Sequence, residues 1–165
     1  MLFLWHTGVN LMLISELFKT KNIKLPVLST GKIELFKEMV DFLSAVENLG
    51  QKEDILDRLW ERENKITTGI APHIAIPHAY LPGMEKTVGA LGISFEGINY
   101  DALDGKPVNV ILLILGSSDK PNEHLKILKD IALIFGKPDF YQKLINCKTP
   151  LEVNSAFAVS EVAVK

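Results

Sequence analysis

The alternation of apolar and polar residues along the chain predicts several helices, because apolar side chains recur at three- and four-residue steps. The longest predicted helix begins near Ser29 and Thr30 and ends at Gly50. Its apolar stripe consists of Ile33, Phe36, Val40, Leu43 and Val46. The same spacing, or a proline at a helix start, predicts further helices over residues 12–19, 54–64, 121–136, 138–146 and 150–162. The helices therefore fall into two groups, separated by a stretch of different character.

The middle of the chain is typical of buried strands, since its apolar runs are short and are bounded by turn residues. Strands are predicted over 74–76, 87–95 and 108–115, after an extended stretch over 23–28. Asp104-Gly105 gives a tight-turn signal between the last two strands. The order of elements does not follow a strict βαβ repeat, which favours a mixed sheet over an all-parallel one. We therefore expect an α/β single-domain layered fold, with a mixed central β-sheet flanked by helices on both sides.

Composition narrows the function classes without pointing to one of them. A chain of 165 residues is of ordinary size for one domain. The formal charge of -2 at pH 7 argues against a nucleic-acid binder, which needs a basic excess. The apolar run 108–115 is too short to cross a membrane, and Met1 to Trp5 lacks the charged start of a signal peptide. The single cysteine, Cys147, fits a reducing compartment, so we expect a cytoplasmic location.

His78 is the candidate nucleophile, because it comes directly after Ile74-Ala75-Ile76-Pro77, where a buried strand ends. Proline fixes its own backbone angle φ and holds the preceding residue extended, so the imidazole is presented from a stiff backbone. A histidine with an ordinary pKa of about 6.5 is partly neutral at pH 7, and a neutral ring nitrogen can attack phosphorus. The alternative is a structural histidine that only caps the strand and binds a backbone carbonyl.

His124 and Arg62 are candidates for holding an anion. His124 lies in the first turn of the helix that starts at Pro121, where unpaired backbone N–H groups and the helix dipole favour negative charge. Arg62 lies near the end of the second helix and offers a planar guanidinium to phosphate oxygens. Each has a structural alternative: His124 packs in its helix, or Arg62 is a surface charge paired with Glu61 or Glu63.

The sequence disfavours a metal site. His73 and His78 are separated by a strand and a proline, so strand alternation directs them to opposite faces. Neither an HExxH motif nor a cysteine pair accompanies them. The GxSxG motif of serine hydrolases and a glycine-rich phosphate-binding loop are also absent from the sequence. We therefore expect neither a metal nor an organic cofactor.

Three motifs, in this order and spacing, give a family resemblance. They are Arg62-Glu63-x4-Thr68-Gly69-Ile70-x3-Ile74-Ala75-Ile76-Pro77-His78, then Leu103-Asp104-Gly105-Lys106-Pro107-Val108, then His124-Leu125-x-Ile127-Leu128. Together they resemble the fructose/mannitol-type enzyme IIA domain of the phosphoenolpyruvate-dependent sugar phosphotransferase system, whose fold the nitrogen-regulatory IIA proteins share. The resemblance covers nearly the whole chain, from about Leu13 to Val159.

The resemblance implies a phosphohistidine carrier. It assigns the phosphorylated histidine to His78, a supporting histidine to His124 and a phosphate-neighbouring arginine to Arg62. The implied donor is the phosphocarrier protein HPr, and the implied acceptor is a IIB domain. Alternatively, phosphorylation controls binding to partner proteins, as in a regulatory IIA protein, or the chain is a IIA-shaped binding module without phosphotransfer. The resemblance also implies a IIA-type domain over 12–165, which leaves 1–11 as an N-terminal arm or an over-long start.

The chain departs from the family pattern close to the candidate nucleophile. Family members usually have Gly-x-Gly where this chain has Ala71-Pro72-His73, so either the loop has a different shape or His73 adds a third imidazole near the phosphate. We expect the first, because alternation puts His73 on the opposite face. Tyr80 also replaces the small residue or the arginine that family members often have two positions after the active histidine. For the apolar rim of a shallow site, the candidates are Ile76, Leu81 and Pro82.

Overall fold

The computed structural model describes residues 12–162 of the chain, which form short and long helices around one β-sheet. In chain order the elements are α1 (Ile14–Leu17), β1 (Ile23–Lys24), α2 (Lys32–Glu47), α3 (Lys52–Glu63), β2 (Ile74–Ala75), β3 (His78–Leu81), β4 (Val88–Ile98), β5 (Val108–Ser117), α4 (Pro121–Phe135), α5 (Phe140–Ile145) and α6 (Pro150–Val162).

The sheet is mixed, as the order of elements along the sequence predicts. β5 lies in its interior, where it pairs antiparallel with β4 on one side and parallel with β2 and β3 on the other. β1 pairs parallel with β4 at the far edge. A strand covered on both faces reads as a nearly continuous apolar run, which explains the composition of β5.

Alternate residues of β5 belong to two separate hydrophobic layers. Leu112 and Ile114 pack in one layer with residues of α1, α4, α5 and α6. Leu113 and Leu115 pack in the other layer with residues of α2 and α3. Helices therefore cover both faces of the sheet, and the predicted α/β layered fold with a mixed central sheet is confirmed.

The predicted helices are all present, but several are shorter than expected. The helix predicted from Ser29 to Gly50 begins only at Lys32, because the backbone N–H of Ser29 binds the carboxylate of Glu38 instead of entering the helix. It ends before Asn48, whose φ of 53° is left-handed. Ile33 is not part of the buried stripe, since it lies in the exposed first turn with 63% of its surface accessible.

The extended segments also differ in detail from the prediction. The stretch predicted over 23–28 forms a strand only over 23–24, because Pro26 has no N–H for the ladder. β4 continues to Ile98, beyond the predicted end at Phe95. The turn at Asp104-Gly105 exists, with a φ of 70° at Gly105, but it lies inside a longer loop between β4 and β5.

Two further expectations from the sequence concern membrane spans and the N-terminal residues 1–11. None of the described helices combines the length and the apolar character that a membrane span requires. Residues 1–11, expected to be an arm or an over-long start, lie outside the described residues.

Candidate active site

His78 follows the end of a buried strand, as expected, but it is also the first residue of a further short strand, β3, which the sequence did not predict. The predicted strand 74–76 is observed as β2, and Pro77, which has no N–H to donate, interrupts the pairing before β3 begins. Both short strands pair with β5, where His78 lies opposite Ile114. The N–H of Ile114 donates to the carbonyl of Pro77 at 3.0 Å. The central strand thus fixes the backbone on both sides of the proline.

Two hydrogen bonds define which nitrogen of the neutral His78 ring carries the proton. Nδ1 lies 2.7 Å from the carbonyl oxygen of Ile76. Because a carbonyl only accepts, Nδ1 is the protonated nitrogen. Nε2 accepts a hydrogen bond from Nε of Arg62 at 3.2 Å. The structural alternative, a histidine that only binds a carbonyl, accounts for Nδ1 but leaves the pairing of Nε2 with Arg62 unexplained.

The environment of His78 keeps its ring neutral at pH 7. Burial lowers the pKa of His78 below the ordinary value of 6.5, and the positive charge of Arg62 lowers it further. The Ile76 carbonyl and the Glu63 carboxylate raise this pKa but do not offset the lowering. The lone pair of Nε2 is therefore available, which is the state that a nucleophile requires.

Arg62 faces His78 from the last turn of α3. Its Nη1 donates to the carbonyl of Ile66 at 2.9 Å, which directs the guanidinium while Nε reaches the imidazole. Glu63, one of the two carboxylates considered as a surface partner, instead binds Lys32 and Thr68. The planar guanidinium has further N–H groups with which it can bind oxygens of an anion.

His124 lies beside His78, with 5.2 Å between the ring centroids. It is in the first turn of α4, as predicted, and is 1% exposed. Among residues 12–162, neither of its ring nitrogens has a hydrogen-bond partner. Burial lowers the pKa of His124 to about 4, and the proximity of His78 contributes. A buried polar group without a partner costs about 1–3 kcal/mol, so packing alone does not explain this neutral imidazole.

Gly116 and Tyr80 lie against His124, a role that was not predicted for either residue from the sequence. A methyl group on Gly116 would lie 2.6 Å from Nδ1 of His124, so the ring occupies space that only glycine leaves open. Tyr80 lies opposite Gly116 in the pairing of β3 with β5, and its ring centroid is 4.6 Å from that of His124. A glycine near the end of an otherwise apolar strand was the available signal in the sequence.

An open groove of about 280 Å³ lies beside the candidate nucleophile. Its lining residues are Arg58, Glu61, Arg62, Lys65, His78, Ala79 and Tyr80. The predicted apolar rim is partly wrong, because Leu81 is 7% exposed and packs in the hydrophobic layer of α2 and α3. Ile76 is half-buried and Pro82 is exposed. Exposed apolar side chains next to site residues are those of Ile66, Tyr80 and Leu125.

His73 lies outside this group of residues. Its ring stacks on Tyr141 with centroids 5.5 Å apart, and its Nδ1 is 3.0 Å from the carbonyl of Pro107. Its own carbonyl accepts the N–H of Val110, whereas His78 lies opposite Ile114, four residues further along β5. At about 3.3 Å per residue, the two histidines are anchored about 13 Å apart along the strand. The chain path along β5, rather than strand alternation, separates them.

The described residues contain no group of three or more His, Cys, Asp or Glu side chains placed to hold a metal ion. The groups that the structure brings together at the site are the imidazoles of His78 and His124 and the guanidinium of Arg62.

Sequence comparison finds relatives over most of the chain. The model of the family described as "Phosphoenolpyruvate-dependent sugar phosphotransferase system, EIIA 2" matches residues 16–159. The fructose-specific EIIA component of the phosphotransferase system of Haloferax volcanii is 31% identical over 133 residues, which cover 81% of this chain and 84% of that protein. A nitrogen regulatory protein of Bradyrhizobium diazoefficiens is 31% identical over 136 residues, which cover 81% of this chain and 89% of that protein.

The chain spans only part of some larger relatives. It is 29% identical over 138 residues to the fructose-specific EIIABC component of Bacillus subtilis, and the match covers 84% of this chain but 22% of that protein.

Solved structures share the fold. The nitrogen regulatory protein IIA-Ntr from Neisseria meningitidis superposes with a TM-score of 0.80 at 29% identity, covering 87% of this chain and 98% of that chain. A complex of enzyme IIAMTL and phosphorylated enzyme IIBMTL from Escherichia coli matches with a TM-score of 0.71, covering 86% of this chain and 96% of that chain. Its identity of 17% limits that likeness to the fold.

Proposed function

The chain belongs to the EIIA 2 family of the phosphoenolpyruvate-dependent sugar phosphotransferase system, and on that premise we propose that Nε2 of His78 accepts a phosphoryl group and passes it on. The geometry at Nε2 is the observation that carries the proposal. Nε2 carries no proton, because the proton of the neutral ring is on Nδ1. Nε of Arg62 in α3 donates a hydrogen bond to Nε2, and the neutral ring of His124 lies beside the ring of His78. The proposed donor is an HPr-type phosphocarrier, and the proposed acceptor is a IIB domain.

In the proposed step the lone pair of Nε2 attacks the phosphorus of a phosphohistidine on the donor protein. The P–Nε2 bond forms as the donor's P–N bond breaks, and the donor imidazole keeps the electron pair of that bond. Nδ1 of His78 keeps its proton, so the phosphorylated ring is cationic. The carbonyl of Ile76, 2.7 Å from Nδ1, stabilises this positive charge. The second transfer reverses these roles, with His78 as the leaving group.

Arg62 and His124 are proposed to hold the oxygens of the transferred group. Nε of Arg62 gives up its hydrogen bond to Nε2 when the phosphorus arrives, and the guanidinium then binds equatorial oxygens. The N–H of the neutral His124 ring is the second donor. Donors fixed at these oxygens stabilise the charge of the transition state, which is the main demand of phosphoryl transfer. This role gives a partner to the buried ring of His124, which has no hydrogen bond within the described part of the chain.

A regulatory function is the second candidate, favoured by the similarity to the nitrogen regulatory proteins of B. diazoefficiens and N. meningitidis. The chemistry at His78 would be the same, but the phosphorylated chain would change its binding to a regulated protein. Adjacent genes for IIB and IIC components would favour the transport function. The cytoplasmic location expected from the sequence is part of the proposal in both cases.

Incubation with phosphoenolpyruvate, enzyme I and HPr tests the proposal, with mapping of any acid-labile phosphate. We expect His78→Ala to abolish labelling and His124→Ala to slow it by on the order of 10²–10³-fold, the usual effect of losing one positioned donor. His73→Ala is the matched control, because it removes an imidazole held by Tyr141 and Pro107 instead. Full labelling of His78→Ala would refute the assignment.

A further inference from the structure

Glu63, the neighbour of Arg62 in α3, has a side chain that is 3% exposed. Its carboxylate accepts hydrogen bonds from the backbone N–H of Thr68 at 3.1 Å and from the Thr68 hydroxyl at 2.6 Å. Nζ of Lys32 lies 3.0 Å from it, and the hydroxyl of Tyr100 lies 3.3 Å from it. Although burial raises the pKa of Glu63, the bonds from Thr68 and Lys32 lower it by more, so the carboxylate is ionised at pH 7.

Two hydrogen bonds, one between backbone groups and one from the His78 ring to a backbone carbonyl, connect this network to the candidate nucleophile. The carbonyl of Thr68 accepts the N–H of Ile76 at 3.2 Å. The carbonyl of the same residue, Ile76, accepts the proton of Nδ1 of His78 at 2.7 Å. The position of Thr68 therefore sets the position of the carbonyl that selects the tautomer of His78.

The same turn also positions Arg62. Glu63 binds Thr68, five residues later in the chain, and Arg62 binds the carbonyl of Ile66. Both bonds therefore hold the segment that follows α3 against the end of that helix. Both groups that form a hydrogen bond with the His78 ring, the Ile76 carbonyl and the Arg62 guanidinium, thus depend on this one segment.

Stability alone is a weak reason for this buried ion pair. The cost of removing Lys32 and Glu63 from water consumes much of their attraction, and hydrophobic replacements of such pairs are often as stable. A role at the neighbouring site explains the arrangement better. On the basis of the proposed function, we propose that Glu63 is a positioning residue, which holds Thr68 and Ile76 so that His78 presents the lone pair of Nε2.

Nitrogen-15 NMR of the two ring nitrogens of His78 tests the proposal in Glu63→Gln, because a purely structural role would leave the tautomer unchanged. We expect a larger Nε2–H population and a transfer rate from phospho-HPr lower by on the order of 10²-fold, as displaced reactive groups cause. Glu47→Gln is the matched control. Glu47 is also a mostly buried carboxylate, bonded to Asn22 and Lys21 at the end of α2, and its replacement should change neither quantity.

A folded Glu63→Gln variant with unchanged tautomer and rate would overturn the proposal. If Glu63→Gln does not fold, Thr68→Val and Thr68→Ser decide instead, since only serine keeps the hydroxyl bonded to Glu63. We then expect a larger Nε2–H population in the valine variant than in the serine variant, and equal populations would overturn the proposal. If the unmodified chain takes no phosphate from phospho-HPr, the proposed function fails, while the NMR comparison still tests the positioning role.

Discussion

At the residue scale, His78 and His124 are two imidazoles whose pKa values are lowered mainly by burial. With ring centroids 5.2 Å apart, their cationic forms would also repel each other. The same environment that keeps both rings neutral, as the proposed transfer requires, therefore penalises the folded state in acid. The site contributes a pH dependence to stability that can be measured without any partner protein.

His124→Gln should make the protein less sensitive to acid. The pKa of His124 falls from 6.5 to about 4 on folding, so the unfolded chain binds the proton more tightly. Stability is therefore full above pH 6.5 and falls as the pH drops towards 4, by about 2 kcal/mol at pH 5 for this residue. Urea unfolding at pH 7.5 and pH 5 measures the loss. Glutamine does not titrate, so the loss should be about 2 kcal/mol smaller in the variant.

The titration of carboxylates is common to both proteins and cancels in this comparison. An equal loss of stability in the unmodified chain and in His124→Gln would show that His124 is accessible to protons in the folded state.

Gly116→Ala should slow transfer without replacing a titratable group. The added methyl group would lie 2.6 Å from Nδ1 of His124, so the ring must move away from its position beside His78. We expect the transfer rate to fall by on the order of 10²-fold, comparable with the loss of one positioned donor. Gly50→Ala is the control, because its added methyl group meets nothing within 4 Å. Equal rates in the two variants would show that transfer does not depend on the position of His124.

At the element scale, the loop before β2 has a left-handed residue at a position where the family pattern has a glycine. His73 takes a left-handed φ of 64°, a conformation that glycine adopts without strain. Stacking on Tyr141 and the contact of its Nδ1 with the Pro107 carbonyl offset that strain. Where the family pattern has a flexible glycine, this chain thus has a strained histidine whose side-chain contacts compensate for the strain.

His73→Ala and His73→Gly separate these two contributions. Both variants lose the contacts with Tyr141 and Pro107, but only alanine keeps the left-handed strain, which costs about 1–2 kcal/mol. We therefore expect alanine to lower the free energy of unfolding more than glycine does, as measured by urea denaturation at pH 7.5. Transfer from phospho-HPr should be unchanged in both variants. A reduced rate in both would show that this chain uses a third histidine.

The elements that could be predicted from the sequence are those in which the pattern of apolar side chains indicates which residues are buried. The apolar run of β5 and the apolar stripes of the long helices indicated burial directly. β3 was missed because it is short, begins with a histidine after a proline and exists only through its pairing with β5. Its pattern could not be read locally, since its partner lies more than thirty residues away.

In the candidate site, too, local sequence patterns could be recognised, whereas contacts between distant segments could not. Family motifs identified His78, His124 and Arg62, but the hydrogen bond that leaves Nε2 without a proton depends on a folded backbone. The bonds of Glu63 to Thr68 and Lys32 join residues from α2, α3 and the following loop, which no sequence spacing indicates. Long-range geometry therefore decides which state each candidate residue is in, while the motifs indicate only which residues are candidates for the proposed transfer.

At the scale of the whole molecule, the beginning and the end of the described chain pack against each other. The hydroxyl of Ser15 in α1 donates to the carboxylate of Glu161 in α6 at 2.6 Å. Asn154 donates to the carbonyls of Ser15 and Phe18. The rings of Phe18 and Phe157 lie with centroids 5.8 Å apart. α1 is therefore an integral part of the domain, although it contains only four residues.

The packing of α1 against α6 predicts opposite results for two N-terminal deletions. A chain that begins at Met12 keeps α1, so we expect its melting temperature to change by less than about 2 °C. A chain that begins at Thr20 loses Ile14, Leu17 and Phe18, all buried. Large apolar core residues contribute about 2–5 kcal/mol each, and typical stabilities are about 5–15 kcal/mol, so the second deletion should abolish cooperative unfolding. Calorimetry measures both, and a large drop in the first would show that residues 1–11 pack on the domain.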